Sequence, residues 1–363
     1  MNQQNAAMIE APADPAELFD TLYRMGLTDG MPVIPPTDDL VQRFIAASGR
    51  PGSDEIAVIP PANHLATVTG IAVNAVMAGC LPEYMPVLIA AVEALVEPQF
   101  NLFGVATTTN PVGPLILVNG PVRQQLDLNC GRNALGPGRR ANATIGRAIR
   151  LIMLNIGGAI PEEVDKATLG QPGKYTMCLG EAEEESPWVP LHVERGFEPE
   201  DSTVTVVGVQ DIGNMFVCFQ QAESILRTLA SGMVSFAANN MLLGEGNPIL
   251  FLNPGHADLL AKQGYDKPRI REELFRRATF PASELPQEVS AVEQNSRNII
   301  DGRNMVTARA EDILIAVAGG ARGLSQLVLR DLRQHGGDEE DPAALNQARG
   351  APRRTLTRPR TRL

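Results

Sequence analysis

Three apolar runs each stop at a glycine-bearing turn, two of them with Asn and Pro as well, and this pattern constrains the fold more than any other feature. Leu115-Ile116-Leu117-Val118 ends in Asn119-Gly120-Pro121, Pro248 to Leu252 ends in Asn253-Pro254-Gly255, and Asp312 to Val317 ends in Ala318-Gly319-Gly320. Short continuous apolar runs bounded by turn residues read as strands covered on both faces. Helical spacing lies between them. Met85, Leu88, Ile89, Val92 and Leu95 recur at that spacing over Glu83–Val96, and further helices are expected over Pro15–Met25, Ala141–Ile156, Ala222–Leu229, His256–Gln263 and Lys267–Ala278. Strands alternating with helices predict an α/β fold.

Two stretches resemble each other. Pro114 to Leu126 and Pro248 to Leu260 both read strand, Asn with Gly and Pro, then helix. The expected architecture is therefore two α/β lobes of similar strand–turn–helix organisation, either an internal duplication or two independent strand-to-helix turns. The expected boundaries are a disordered N-terminus (1–15), a first lobe (16–158), a connecting loop or lid (159–202), a second lobe (203–329) and a tail (330–363). Trp188, the single tryptophan, would anchor that lid. The tail carries six arginines after its last acid, Asp341. It reads either as a disordered basic segment or as a frame-shifted one, since a one-base shift from about residue 330 permits a more apolar string.

Aromatic residues make up only 4% of the chain, so its core must be aliphatic. The formal net charge of −11 argues against nucleic acid and anionic membrane surfaces as partners. No apolar run is long enough for a transmembrane helix, and the N-terminus lacks signal-peptide features. A cytoplasmic location is expected. The four cysteines and four histidines show no CxxC, HxH or HExxH spacing, so neither a metal nor another cofactor is expected.

In open α/β sheets ligands sit beyond the carboxyl ends of strands. Asn119, Gly120, Asn253, Gly319 and Gly320 are thus the expected lining of a small-molecule site, although turn chemistry alone needs the same residue types. Asn142 and Arg147, in the polar stretch Asn129–Arg150, and the loop lysine Lys174 would orient an anionic or polar substrate; the plainer reading of these cations is a solvated surface. Cys80 stands where one helix gives way to the next, where unpaired N–H groups would favour its thiolate. Glu83 and Tyr84 would then carry protons. The competing reading of Cys80 is a small buried hydrophobe. His256, at a helix start where the dipole disfavours its charged form, is an alternative general base.

The strings Ala78-Gly79-Cys80-Leu81-Pro82-Glu83-Tyr84-Met85-Pro86-Val87, Arg140-Ala141-Asn142-Ala143-Thr144-Ile145-Gly146-Arg147 and Ser186-Pro187-Trp188 together resemble a bacterial family associated with small thiol or selenol proteins named for a UGSC motif. The resemblance covers most of residues 20–320. It implies thiol or selenol redox chemistry on a small substrate with a separate thiol or selenol protein as partner. The chain has no Cys-Gly-Ser-Cys motif, so such a pair would come from that partner. Three readings follow: a thiol-dependent enzyme or enzyme subunit (oxidoreductase or lyase), a non-catalytic ligand-binding subunit of a redox system, and a metal-free hydrolase or lyase using His256. A homo-oligomer is compatible with each.

Overall fold

The computed structural model describes residues 10–235, 238–244, 246–286, 288 and 297–320, and the backbone of 325–331. In chain order the helices are α1 (Pro15–Arg24), α2 (Asp38–Ser48), α3 (Val68–Ala78), α4 (Met85–Leu95), α5 (Leu102–Thr107), α6 (Val122–Gln125), α7 (Arg140–Asn155), α8 (Leu191–Glu194), α9 (Ala222–Met233), α10 (Asn239–Leu242), α11 (Pro254–Lys262) and α12 (Lys267–Arg277). The strands are β1 (Glu55–Ile59), β2 (His64–Thr67), β3 (Gly113–Asn119), β4 (Cys178–Gly180), β5 (Thr203–Phe216), β6 (Pro248–Leu252), β7 (Thr279–Pro281), β8 (Ile299–Ile300), β9 (Arg303–Met305), β10 (Leu314–Val317) and β11 (Ser325–Asp331). The helix starts follow local chemistry. Asp14 accepts the Ala16 and Glu17 N–H groups, and Pro15 sits at the first helical position, where its missing N–H costs nothing.

One six-stranded mixed sheet, in the order β10-β6-β11-β5-β3-β4, organises the protein. β3 pairs parallel with β4, and β6 with β10; β5 is antiparallel to β3, and β11 is antiparallel to both β5 and β6. Exchanging β3 with β6, β4 with β10 and β5 with β11 reverses this order, so each half of the chain contributes one matching set of three strands. The expectation of two separate lobes is corrected accordingly: the α/β class stands, but the halves share one sheet. The segment 159–202 is not a bare connection, because it supplies β4 and α8. The last strand is β11, beyond the one expected at Asp312–Val317. Residues 332–363, on which the tail reading mostly falls, and residues 1–9 lie outside the described residues.

The sheet rolls until its edges meet, and the Ala182 N–H past β4 donates to Val317 O of β10 at 2.7 Å. Alternate side chains then separate by face. Leu115, Leu117, Leu179, Val209, Ile249, Phe251, Leu314 and Ala316 pack into one interior cluster. Ile116, Val118 and Cys178 face the layer built from α3, α4 and α7. Leu250, Leu252, Ile315 and Val317 face α9, α11 and α12. Both faces of β3 and β6 are therefore dry, which is why their sequences are unbroken apolar runs. Among the described residues no single helix is long and apolar enough to cross a membrane.

Candidate functional site at the strand ends

The strand ends of the first half close over a buried charge network. β3 stops at Asn119, and Gly120 takes φ +83° against Asp201. A Cβ there would lie 2.1 Å from Asp201 O, so the turn admits only glycine. Asn119 Nδ2 donates to Glu181 Oε2 at 2.6 Å and to Glu183 Oε1 at 2.9 Å, and the Gly120 N–H reaches Glu183 Oε1 at 2.8 Å. Glu181, one residue past β4, has no solvent exposure. It also accepts the Leu191 N–H at 2.8 Å and the Val317 N–H at 3.3 Å, with Lys267 Nζ at 3.6 Å.

Arg123 ties this end together. It donates to Gly120 O at 2.9 Å and Glu181 O at 2.6 Å, and pairs with Glu183 at 2.8 Å and Glu184 at 2.9 Å. Glu194 continues the network to Lys267 and Arg271. His192 is buried beside it, with Nδ1 3.8 Å from Glu183 and neither ring nitrogen hydrogen-bonded.

The second-half ends meet the first through one loop. Past β10, the Ala318 N–H donates to Leu252 O at 3.0 Å and the Gly319 N–H to Cys130 O at 2.8 Å. Gly319 has φ +100°, a value that disfavours any side chain, and its Cα points toward Asn253. A Cβ on Gly320 would lie 2.4 Å from Arg132 Cγ, so the Arg132 side chain lies against Gly320. Arg132 is exposed and pairs with no described carboxylate. The Cys130 sulfur lies against Gly180, where a Cβ would come within 2.4 Å, and receives Arg123 Nη1 at 3.8 Å. Asn119, Gly120, Asn253, Gly319 and Gly320 are thus linked through Glu181, Val317 and Cys130.

The remaining sequence candidates have other work. Asn142 is a buried brace: Oδ1 accepts the Asn129 N–H at 2.8 Å, and Nδ2 contacts Asn129 O, Ala134 O and Cys178 O at 3.0, 3.1 and 3.0 Å. It positions the Cys130 loop rather than a substrate. Arg147 forks Asp29 through two 2.8 Å bonds and holds the Met31 and Pro32 carbonyls. Lys174 is paired with Asp165 at 2.8 Å.

At the start of α11, Asn253 Oδ1 accepts the His256 N–H at 2.9 Å and Asn253 Nδ2 meets His256 Nδ1 at 2.7 Å. Burial lowers the pKa of this imidazole, and the ring also bonds the Val217 backbone. Nδ1 is thus engaged by the cap of α11, and burial, where the sequence reading invoked the helix dipole, holds the imidazole toward its neutral form.

Cys80 requires the clearest correction. Its sulfhydryl donates to Thr144 O at 3.3 Å, within the aliphatic layer of α3, α4 and α7. Burial pushes the thiol from 9.0 up to about 12, against the opposing pull of the Thr144 bond, Arg140 and Arg147. The thiolate expected from its place between helices is disfavoured, because desolvation outweighs the local field. Burial likewise raises Tyr84, whereas Glu83 is exposed. Cys218 is exposed, and Cys178 is buried. Trp188 is anchored as expected, its indole N–H donating to Tyr265 O at 3.1 Å.

Arg123, Cys130, Arg132, Glu181, Glu183 and Lys267 were not among the foremost sequence candidates. The available signal was position: Glu181 directly follows the short apolar run Met177–Gly180, and Cys130 and Arg132 flank Gly131.

Two measurable consequences follow for the thiols. Native protein should alkylate first at Cys218 and then at half-buried Cys130, with Cys80 and Cys178 protected, as read by peptide mapping after timed iodoacetamide exposure. Cys80 keeps its proton when folded and releases it when unfolded above pH 9, so its contribution to stability falls as pH rises from 9.0 toward about 12. Cys80→Ala should flatten that alkaline loss in urea titrations. Equal slopes for the two proteins would contradict it.

No family model, curated protein or solved structure matches the chain.

Proposed function

We propose that the protein is an enzyme, or an enzyme subunit, that binds a small anionic molecule where the sheet strands stop. One observation carries this reading: the 2.8 Å bond from Gly319 N–H to Cys130 O seats the Cys130–Arg132 loop on the end of β10, with the Arg132 side chain against Gly320 and the Cys130 thiol beside Gly180 and Arg123. A guanidinium without a carboxylate partner is suited to fork a carboxylate or phosphate, and glycines let the backbone approach it closely. We assign to Cys130, in place of Cys80, whatever thiol step the chain performs. Burial raises the Cys130 thiol and Arg123 opposes that rise, so the group is protonated at rest and next to a cation able to stabilise its anion. A small thiol or selenol protein is the partner this chemistry would use. The palindromic strand order and the matching Asn119 and Asn253 turns support duplication as the origin of the two halves.

Calorimetric titration with small carboxylates and inorganic phosphate tests the reading. Arg132→Ala should weaken the best ligand by about 1.5–3 kcal/mol, the range for a hydrogen bond to a charged group. Unchanged affinity would rule out the patch. Cys130→Ser separates an enzyme from the second reading, a ligand-presenting subunit: binding should survive in both, and turnover should be lost only in the enzyme.

A further inference from the structure

The second half of the chain carries an open cleft that the strand-end reading does not use. It lies between the last residues of β5, with the segment after them, and the outward face of α9, and its volume is about 580 Å³. Its two exposed aromatic rings are Phe216, 64% exposed, and Phe219, 43% exposed. α9 turns Ile225, Leu226, Leu229, Ala230 and Met233 into the core, which leaves Ser224, Arg227, Thr228 and Ser231 along the cleft. Gly232 makes the floor possible, since a Cβ there would lie 1.9 Å from Met215 Sδ.

The electrostatics of this face are unusual for an acidic chain. Glu223 and Arg227 stand four residues apart on α9, the spacing at which an acid and a base normally pair. Arg277 of α12 instead takes the Glu223 carboxylate with both terminal nitrogens, at 2.5 and 2.7 Å. Arg227 therefore faces the cleft with no described carboxylate partner. The Thr228 hydroxyl donates to Ser224 O at 2.9 Å, whereas the Ser224 and Ser231 hydroxyls have no described acceptor. Exposed aromatic surface, an unneutralised guanidinium and two available hydroxyl donors thus share a concavity within the roughly 300–1,000 Å³ typical of small-ligand sites.

We infer that this cleft is a second ligand site, for an aromatic carboxylate. The apolar body of the ligand lies against Phe216 and Phe219, its carboxylate meets Arg227, and Ser224 or Ser231 donates a further hydrogen bond. The inference uses no residue of the strand-end patch, so the two stand or fall separately.

The test is calorimetric titration of the full chain with 2-naphthoate and with its uncharged amide. The carboxylate should bind at least about tenfold more tightly than the amide, each factor of ten corresponding to about 1.4 kcal/mol. Arg227→Gln should remove that difference, and Phe219→Ser should weaken both probes. Both side chains are exposed, so both variants should keep the wild-type melting temperature, and Arg132→Ala should leave naphthoate binding unchanged. Absence of binding at millimolar naphthoate would overturn the inference, as would equal affinity of acid and amide for the wild-type chain. A concentration-dependent dimer, seen by sedimentation and abolished by Phe219→Ser, would assign the cleft to contact between copies instead.

Discussion

Replacing Glu181 by Gln should destabilise the protein by roughly 3–5 kcal/mol, the usual loss when one partner of a buried charge pair is removed. The carboxylate is sealed from solvent, and every group around it is a donor: the Asn119 amide, the Leu191 and Val317 N–H groups and, at 3.6 Å, the Lys267 ammonium. An amide has one acceptor oxygen and turns two N–H groups toward these donors. It also leaves Lys267, itself 3% exposed, with less neutralising charge. The cost should extend beyond local repacking, because the Val317 and Asn119 bonds join β10 to β3 across the seam of the rolled sheet. Urea unfolding reads the loss directly, with exposed Glu185→Gln as the control and no change expected beyond about 0.5 kcal/mol. A Glu181→Gln loss below about 1 kcal/mol would mean that the carboxylate does not hold the seam.

Asn142→Leu is the second large effect. Leucine keeps the branching of asparagine, with bulkier methyl groups, but removes all four contacts at once, leaving the Asn129 N–H and the carbonyls of Asn129, Ala134 and Cys178 without this partner. Each buried polar group left unsatisfied costs about 1–3 kcal/mol, so a total near 3 kcal/mol is expected even after partial relaxation. The effect should be polarised. The loop carrying Cys130 and Arg132 should lose hydrogen-exchange protection, while α9, α11 and α12 keep theirs. Cys130 should alkylate faster in this variant than in the wild type. Uniform loss of protection across both helical layers would show that Asn142 supports the whole fold instead of one loop.

The longer amphipathic helices of the chain were legible because their information is local. Asp14 with Pro15 announces α1, the spacing of Met85 to Leu95 announces α4, and Asn253 announces the start of α11. β3 and β6 were legible for a related reason: a strand covered on both faces must be apolar throughout. β4 escaped because three residues are too few to show a period. β11 escaped because Gln326, Arg330 and Asp331 interrupt its apolar run, although the strand lies between β5 and β6.

For the site, the sequence by itself determined where strands end and which turns need glycine. These are properties of a few adjacent residues and their allowed backbone angles. Only the tertiary structure decided which charges are buried and which thiol lies at the strand ends. Glu181 opens an acidic stretch within the segment expected to connect the lobes, yet it is enclosed because α12 brings Lys267 and β10 brings Val317 to it. Cys80 stands at a helix boundary that should favour its anion, yet Thr144, far along the chain, packs over it and the surrounding aliphatic layer excludes water. Solvation and charge pairing depend on contacts between distant segments, and those exist only once the sheet has rolled and its two helical layers have closed.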